Sequence, residues 1–309
     1  MQSSGHRPAA YAGPTPARSM LERALVGYAR HAPLNKGKLR LVNALWRLAV
    51  GDRERVRIAK LIYGQFEMQC DLNEMLQRQF YFFGTYFVEE LHLRCWQTAA
   101  RRAQIIADIG ANAGIYSLAA LASQPRAEVH AFEPTPEIAA HLRGTVALNN
   151  LDNHLFVHEM AVSNSNGSAN LVRCRGDLGT NEGMNFLSAG SVSGGSETVE
   201  AVSLDKFCHD HAIERLDLVK MDIQGHEHAA LIGAQRMIES GRIGDIFMEL
   251  NWADETSGPC PATRSVQLLG AAGYRFSEIK HQLDWRPAGE WLRAHGDLIA
   301  SRDWESRRA

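Results

Sequence analysis

Acidic residues stand at or near the ends of several apolar runs in this sequence. Asp108, Glu133 and Asp222 each close such a run, and a fourth run, 243–250, carries Glu249 near its end. If these runs are parallel strands of one sheet, their carboxyl ends lie at the same edge, so the acids converge on a shared crevice. We therefore expect one polar site built from distant parts of the chain.

The most informative stretch runs from 105 to 114, where an apolar segment leads into a glycine-rich turn. Gly110 and Gly114 allow a sharp backbone turn and a close approach of a ligand to the main chain. The amides of the loop and of the helix that follows would face the carboxyl end of the strand. Glu133 lies about twenty residues further on, the spacing at which an acid binds both hydroxyls of a ribose. The combination predicts a nucleoside-binding site.

The order of residues in the turn separates two cofactor classes. A dinucleotide fingerprint has Gly-x-Gly-x-x-Gly, whereas here Asn112 stands at the position of the middle glycine and Gly114 comes one position early. The chain also lacks a Tyr-x-x-x-Lys proton relay. A NAD-dependent oxidoreductase is therefore disfavoured but kept as an alternative, together with a nucleoside-binding protein that has no turnover.

Three motifs occur together in the central part of the chain. They are Asp108-Ile109-Gly110-Ala111-Asn112-Ala113-Gly114, Phe132-Glu133-Pro134 and Lys220-Met221-Asp222-Ile223-Gln224-Gly225-His226-Glu227. This set resembles the FkbM family of S-adenosylmethionine-dependent methyltransferases, over about residues 55 to 251. The resemblance implies an α/β, class I methyltransferase (Rossmann-like) fold with a seven-stranded, mostly parallel sheet whose last strand is antiparallel. It also implies methyl transfer, usually to an oxygen such as a sugar hydroxyl.

The resemblance further implies which residues hold S-adenosyl-L-methionine. The glycine loop would hold the methionine portion, Glu133 the ribose, and the segment around Met160 the adenine. The full set of cofactor-binding residues is Asp108, Gly110, Ala111, Asn112, Gly114, Glu133, Pro134, Ala161, Val162 and Asp222. Family members often carry Glu where this chain has Gln224, and a neutral amide there argues against a base at that position.

Methyl transfer to oxygen requires alignment of the acceptor with the methyl group and removal of the acceptor's proton. We expect Asp222 near the methyl group and His226 or Glu227 as the proton acceptor. The alternative is structural, since both residues open a helix, where an acid suits the positive end. A divalent cation held by Asp222, Glu249 and Asn251 is a weaker alternative, and no metal site is predicted.

The acceptor is less well defined by the sequence. Residues 163–195 are rich in Gly, Ser and Asn and are predicted to form a hairpin and a long polar loop. Within this loop Asn181 and Glu182 could bind hydroxyls in pairs, and Glu249 and Asn251 would face the same acceptor. We therefore predict a small-molecule or glycan acceptor, with a plain surface linker as the alternative role of the loop.

Strands and helices alternate beyond Asp108, which is typical of a parallel sheet covered by helices on both faces. The expected strands after the first are 128–132, 155–161, 199–203, 216–221, 243–250, 274–279 and 297–301. The expected helices are 136–149, 204–211, 228–240 and 264–272.

Three regions are predicted along the chain. Residues 1–19 form a flexible tail, 20–100 an N-terminal helical and hairpin extension, and 101–309 the catalytic domain. In the extension, Asp71 and Glu74 are expected to open a helix as a capping pair. Basic residues are concentrated before residue 60, which indicates a solvated helix face, a peripheral contact with an anionic membrane, or a homodimer contact.

Composition excludes several classes of protein. A chain of 309 residues with 45% apolar residues is globular, and a formal net charge of -2 argues against nucleic acid as a partner. The five cysteines are odd in number and form no Cys-x-x-Cys pair, which favours a reducing compartment. No apolar run reaches the ~18 residues of a membrane span. The N-terminus lacks the features of a secretory signal, so a cytoplasmic protein is expected.

Overall fold

The computed structural model describes residues 19–33, 37–51, 56–64, 66–172, 175–176, 179–180, 186–188, 196–250, 260–279, 284–287, 296–303 and 305. The helices are α1 (Met20–His31), α2 (Lys38–Val50), α3 (Met75–Phe83), α4 (Glu90–Ala100), α5 (Ile115–Ser123), α6 (Pro136–Leu148), α7 (Leu204–Asp210), α8 (Glu227–Gly233), α9 (Gln235–Glu239) and α10 (Pro261–Ala271), with a 3-10 turn at Phe87–Glu89. None of the described helices has the length and apolar character to cross a membrane.

The strands fall into one large sheet and several small ones. They are β1 (Val56–Lys60), β2 (Glu67–Asp71), β3 (Ile105–Ile109), β4 (Glu128–Phe132), β5 (Leu155–His158), β6 (Ala161–Val162), β7 (Gly167–Val172), β8 (Arg175–Gly176), β9 (Gly179–Thr180), β10 (Phe186–Ser188), β11 (Ser196–Val202), β12 (Leu216–Met221), β13 (Ile243–Leu250), β14 (Arg275–Glu278) and β15 (Gly296–Ser301).

The large sheet has seven strands among the described residues, in the order β14-β15-β13-β12-β3-β4-β5. Neighbours from β5 to β13 run parallel, and β15 pairs antiparallel with both β13 and β14. The chain moves outward from β3 to β5 and then returns to β12, so the strand order reverses between β3 and β12. Ligands bind at such a reversal in open α/β sheets. The predicted class I methyltransferase fold, with its antiparallel last strand, is confirmed.

Helices cover both faces of this sheet because its strands carry apolar side chains on both sides. On one face, Trp96 of α4 is fully buried against the rings of Tyr116 and Phe247. The Trp96 indole N–H donates to the carbonyl oxygen of Tyr116 at 2.9 Å, so its buried polar atom is paired. On the other face, α7 and α8 bury Phe207 and Leu231. These two cores hold the strand ends in place.

The prediction of a single strand over 155–161 is wrong. The chain leaves the large sheet after β5, and β6 pairs in parallel with β11 in a second sheet of order β10-β7-β11-β6. The change occurs at Glu159 and Met160, where the Glu159 carboxylate accepts from Arg143 at 2.8 Å on the surface. The second sheet also replaces part of the predicted polar loop, because β7 pairs antiparallel with β10 and β11.

The predicted helix over 228–240 is two helices, α8 and α9, divided at Ala234. The carboxylate of Asp205, on α7, accepts from the backbone N–H groups of Arg236 and Met237 at 2.9 Å each. An acid from a neighbouring helix therefore caps the start of α9, which the local sequence does not reveal.

The helix α3 begins later than the predicted capping pair implies. Asp71 is the last residue of β2, and its Oδ1 accepts from the backbone N–H of Asn73 at 2.8 Å within a turn. Glu74 precedes the helix, but its side chain makes no capping hydrogen bond. Asp71 therefore shapes the turn instead of the helix start.

The N-terminal extension uses several of its cationic groups internally. The Arg57 guanidinium binds the Glu22 carboxylate at 3.1 Å with both side chains buried, and the Tyr81 hydroxyl donates to the same carboxylate at 2.5 Å. Arg30 donates to three backbone carbonyl oxygens in β1 and α3. These arginines hold the extension together. Contact of the basic region with a membrane or with a second copy stays a prediction.

Histidine and phenylalanine rings pack together beside β4 and β5. His130 Nδ1 lies 3.0 Å from His158 Nε2, so one imidazole donates to the other. Both rings also contact Phe207 and His211. Burial, with a smaller effect of the neighbouring imidazoles, lowers the pKa of His130 to about 4 and that of His158 to about 3. Both imidazoles are therefore neutral in the folded protein at neutral pH.

The folded protein should lose stability in mild acid through these histidines. An unfolded histidine has a pKa of about 6.5. Between pH 6.5 and about pH 4 the unfolded chain therefore binds more protons than the folded one, so the free energy of unfolding decreases as the pH is lowered. For His130 alone the loss reaches about 3 kcal/mol. His158→Gln removes one of these groups and should flatten the decline measured by urea unfolding. His141→Gln, at an exposed position of α6, should keep the original decline; an identical decline in all three proteins would contradict this account.

Candidate functional site

The glycine-rich loop between β3 and α5 is shaped by close packing. Gly110 has φ +79°, and a Cβ there would lie 2.1 Å from the carbonyl oxygen of Asp222. Gly114 has φ +85°, and a Cβ there would meet Leu142 of α6 at 2.3 Å. Asn112 also has a positive φ, +49°, which asparagine adopts more readily than most residues. The loop therefore lies directly against the end of β12 and against α6.

Backbone amides orient the carboxylate of Glu133. Its Oε2 accepts from the N–H of Asn112 at 3.1 Å, and its Oε1 accepts from the N–H of Thr135 at 2.8 Å. Asn112 and Glu133 are 21 residues apart in the chain. The loop and the acid that the sequence predicts to act together are thus directly hydrogen-bonded.

A first cleft of about 540 Å³ opens at this edge of the sheet. Seven residues of the predicted cofactor set line it: Gly110, Asn112, Glu133, Pro134, Ala161, Val162 and Asp222. Ala161 and Val162 reach the cleft because β6 has left the large sheet, and both are buried apolar side chains. The cleft combines an apolar wall with a few fixed polar groups.

The Asp222 carboxylate forms part of this cleft and is held by two neighbours. Lys220 Nζ lies 3.2 Å from its Oδ2, and Gln224 Nε2 donates to its Oδ1 at 2.9 Å. Burial alone would raise the pKa of Asp222, but the charge of Lys220 and these hydrogen bonds outweigh burial and lower the pKa. Lys220 Nζ also lies 4.4 Å from the centroid of the Tyr116 ring, a cation–π contact. Asp222 is therefore ionised at neutral pH.

A second cleft of about 420 Å³ shares Asp222 with the first. Its wall also includes Glu89, Tyr116, Glu249 and Asp297. The Tyr116 hydroxyl donates to Glu89 Oε2 at 2.6 Å. Burial, followed by the negative charges of Asp222 and Asp297, raises the pKa of Glu249 to about 7. The sequence pointed to Asp222 and Glu249 but not to the other three, which come from separate elements and belong to no motif.

Two residues predicted to act on the acceptor's proton line neither cleft. Glu227 is buried, and its Oε1 accepts from the backbone N–H groups of Ile223 at 3.1 Å and Gly225 at 3.2 Å. His226 Nε2 lies 3.0 Å from Ser163 Oγ, and burial lowers the pKa of His226. These contacts hold the turn after β12, which favours the structural interpretation of both residues.

Asp108 also lines neither cleft. It sits within β3 and is fully buried, and its Oδ2 accepts from Ser117 Oγ at 2.7 Å. Its Oδ1 has no hydrogen-bond partner among the described residues, and burial raises its pKa. Ala111 and Gly114, two further members of the predicted set, are likewise turned to the protein interior: Ala111 N–H donates to the Phe132 carbonyl oxygen at 3.0 Å. These residues support the conformation of the glycine-rich loop from the protein interior and do not line either cleft.

Three predicted acceptor-binding residues, Asn181, Glu182 and Asn251, lie outside the described residues. The cation hypothesis therefore reduces to Asp222 and Glu249. Within the described part of the chain, no group of three or more His, Cys, Asp or Glu side chains is arranged to hold a metal ion.

A sequence profile of the Methyltransferase FkbM domain matches residues 108–276, more than half of the chain. The chain belongs to the FkbM methyltransferase family. The match begins at the acid before the glycine loop and extends beyond β12, so it includes all three motifs on which the resemblance rested. The predicted family is thus confirmed.

The chain is also similar to individual proteins. The 2-O-methyltransferase NoeI of Sinorhizobium fredii (strain NBRC 101917 / NGR234) is 28% identical over 179 residues, which cover 53% of this chain and 70% of that protein. Among solved structures, an O-methyltransferase from Bacillus cereus in complex with SAH has 14% identity and a TM-score of 0.41, over 68% of this chain and 80% of that one. Cofactor-bound Rv0187 from MTB has 16% identity and a TM-score of 0.41, over 69% and 80%. Family membership and the NoeI similarity support methyltransferase activity.

The packing of the glycine loop gives a matched pair of variants. Gly110 and Gly225 both have positive φ, +79° and +94°, so alanine at either position costs roughly 1 kcal/mol in the backbone. Only at Gly110 would the Cβ also overlap the Asp222 carbonyl oxygen; nothing lies within 4 Å at Gly225. Gly110→Ala should therefore lower the free energy of unfolding by about 1 to 3 kcal/mol more than Gly225→Ala. Equal losses in urea unfolding would mean that the loop does not press on β12.

Proposed function

We propose that this FkbM-family protein is an S-adenosylmethionine-dependent O-methyltransferase that methylates a hydroxyl of a sugar, glycan or related small molecule. The observation that carries the proposal is the pair of clefts that share the Asp222 carboxylate. Methyl transfer requires that a donor and an acceptor be held in contact and in line. Two clefts that meet at one ionised side chain are suited to that task.

The residues of the first cleft fit S-adenosylmethionine. The fixed carboxylate of Glu133 would accept hydrogen bonds from the ribose hydroxyls. Ala161 and Val162 would contact the adenine, and the loop that starts at Gly110 would face the methionine portion. The ionised Asp222 would favour a cationic ligand. When bound, the cofactor supplies an electrophilic methyl group on a sulfonium.

The alternatives have less support. The Glu133 carboxylate would suit the ribose of a nicotinamide dinucleotide as well, but Asn112 replaces the glycine that such a cofactor needs, and the family is one of methyltransferases. A nucleoside-binding protein without turnover would not require the second cleft. Transfer to oxygen is supported by NoeI, whose name is 2-O-methyltransferase, and by the carboxylates of the second cleft, which accept hydrogen bonds from hydroxyls.

Glu249 is the best candidate for the base that removes the acceptor's proton. An efficient general base has a pKa near the working pH, and that of Glu249 is about 7. Asp222 has a lowered pKa and is the weaker base, so we assign it to positioning. The Glu227 carboxylate accepts hydrogen bonds from two backbone N–H groups and lines neither cleft, so we do not assign it as the base. In this scheme Glu249 lies beside the acceptor and takes the hydroxyl proton as the methyl group is transferred.

The cofactor assignment predicts a specific binding pattern. Isothermal calorimetry should detect tighter binding of S-adenosylhomocysteine than of NAD. Glu133→Gln should weaken S-adenosylhomocysteine binding by about 10-fold or more, because hydrogen bonds to a charged group contribute roughly 1.5 to 3 kcal/mol. Glu128→Gln, at the other end of β4, should leave the affinity unchanged. Tighter binding of NAD would refute the proposal.

The base assignment predicts a pH dependence. Glu249 accepts a proton only when ionised, so the rate of methyl transfer should rise through about pH 7 and level off above it. Glu249→Gln should lower kcat about 10²- to 10⁴-fold and abolish this rise, with unchanged S-adenosylhomocysteine affinity. The assay measures the transfer of label from methyl-labelled S-adenosylmethionine to acceptor molecules, which are supplied by an extract of cells that lack the gene. Glu239→Gln, exposed on α9, is the control; a Glu249→Gln enzyme with the same pH profile as the wild type would exclude this base.

A further inference from the structure

The second cleft has a strongly unbalanced set of charges. Four carboxylates line it, from four separate parts of the chain: Glu89, Asp222, Glu249 and Asp297. The basic side chains among its described lining residues are Lys220 and His92. An anionic ligand would bind in this cleft only if Lys220 or His92 were available to pair with it.

Both of these groups already have a carboxylate partner. Lys220 Nζ lies 3.2 Å from Asp222 Oδ2 and is further held over the face of Tyr116. His92 Nε2 lies 3.5 Å from Asp297 Oδ2. An anionic ligand would therefore have to compete with a carboxylate of the protein for either of the two basic groups described in this cleft.

The remaining two carboxylates each lie beside a neutral donor, and Glu249 is also hydrogen-bonded to the Asp222 carboxylate. The Tyr116 hydroxyl donates to Glu89 at 2.6 Å, and the Gln224 amide lies 3.5 Å from Glu249 Oε2. Neither donor cancels the charge of its carboxylate. The pKa of Glu249 is raised by burial and by the negative charges of Asp222 and Asp297. This raised pKa agrees with the excess of carboxylates, because it shows that a negative charge is unfavourable at this place in the cleft.

The rest of the wall suits an uncharged polar molecule. Phe247, Met248 and Ile279 add apolar surface to the carboxylates. Carboxylate oxygens accept hydrogen bonds from hydroxyls, and apolar side chains pack against C–H groups of a ring. A molecule with several hydroxyls and no anionic group would satisfy both parts of the wall.

We propose that the second cleft is the acceptor site and that it selects uncharged polyhydroxylated acceptors while rejecting units that carry a carboxylate, sulfate or phosphate beside the reacting hydroxyl. This inference rests on the proposed methyl transfer to a hydroxyl. It adds a charge criterion that narrows the acceptor to neutral sugars and similar polyols.

The test follows the charge of the methylated unit. An extract from cells that lack the gene is separated by anion exchange into uncharged and anionic fractions, and each is incubated at equal sugar content with the protein and methyl-labelled S-adenosylmethionine. The labelled material is then cleaved to single units with glycosidases, which leave methyl ethers and sulfate and phosphate esters in place, and the units are separated by charge again. S-adenosylhomocysteine binding is measured on the same protein sample.

The expected result is label in uncharged units, at least about 10-fold above the anionic ones. Label mainly in anionic units would overturn the charge criterion and leave the methyltransferase proposal intact. No label in either fraction from protein that binds S-adenosylhomocysteine would refute hydroxyl methylation itself, and the acceptor site with it.

A variant of Asp297 tests whether the negative charge of the second cleft is what excludes anionic acceptors. Asp297→Asn removes one negative charge and leaves His92 without its carboxylate partner, so the share of label in anionic units should rise severalfold. Asp152→Asn, an exposed residue before β5, should not change that share. If the share stays the same in Asp297→Asn protein that binds S-adenosylhomocysteine normally, the charge of the cleft is not what selects the acceptor.

Discussion

The ion pair between Lys220 and Asp222 is the interaction on which the site depends. Lys220 lies near the end of β12 and Asp222 directly follows this strand, two positions further along the chain, so their side chains can meet on the same side. Only 9% of the Lys220 side chain is exposed, and an unpaired ammonium so deeply buried would be strongly unfavourable. The carboxylate stabilises the ammonium and in turn stays ionised between two clefts. The carbonyl oxygen of Asp222 also fixes the glycine loop, because it packs where Gly110 would otherwise carry a Cβ.

The parts of the fold and site that follow local rules could be predicted from the sequence. The alternation of apolar runs and helical segments predicted the large sheet, and Gly110, Asn112 and Glu133 predicted the first cleft. These predictions succeeded because each depends on a short segment: a strand that ends in a turn, a turn that needs positive φ, and an acid at the end of the next strand. The hydrogen bond between Asn112 and Glu133 joins two such segments directly.

The second cleft could not be predicted in the same way. Glu89 precedes α4, Tyr116 lies on α5 and Asp297 lies on β15, and no spacing rule links these elements before the sheet order is known. The division of α8 from α9 likewise depends on Asp205 of α7, about thirty residues earlier in the chain. In each case the deciding contact is tertiary, and the local sequence is compatible with the wrong answer as well as the right one.

Gln224 separates the roles of the two carboxylates in the second cleft. Its Nε2 donates to Asp222 at 2.9 Å and lies 3.5 Å from Glu249, so one neutral amide lies beside both acids, which are also hydrogen-bonded to each other. A glutamate at this position would place a third negative charge there and raise the pKa of both neighbours. With the amide, Asp222 keeps a lowered pKa and Glu249 a raised one of about 7. Neighbouring carboxylates with pKa values shifted in opposite directions are suited to different tasks. Gln224 thus adds no base of its own and leaves Glu249 as the carboxylate poised to exchange a proton near neutral pH.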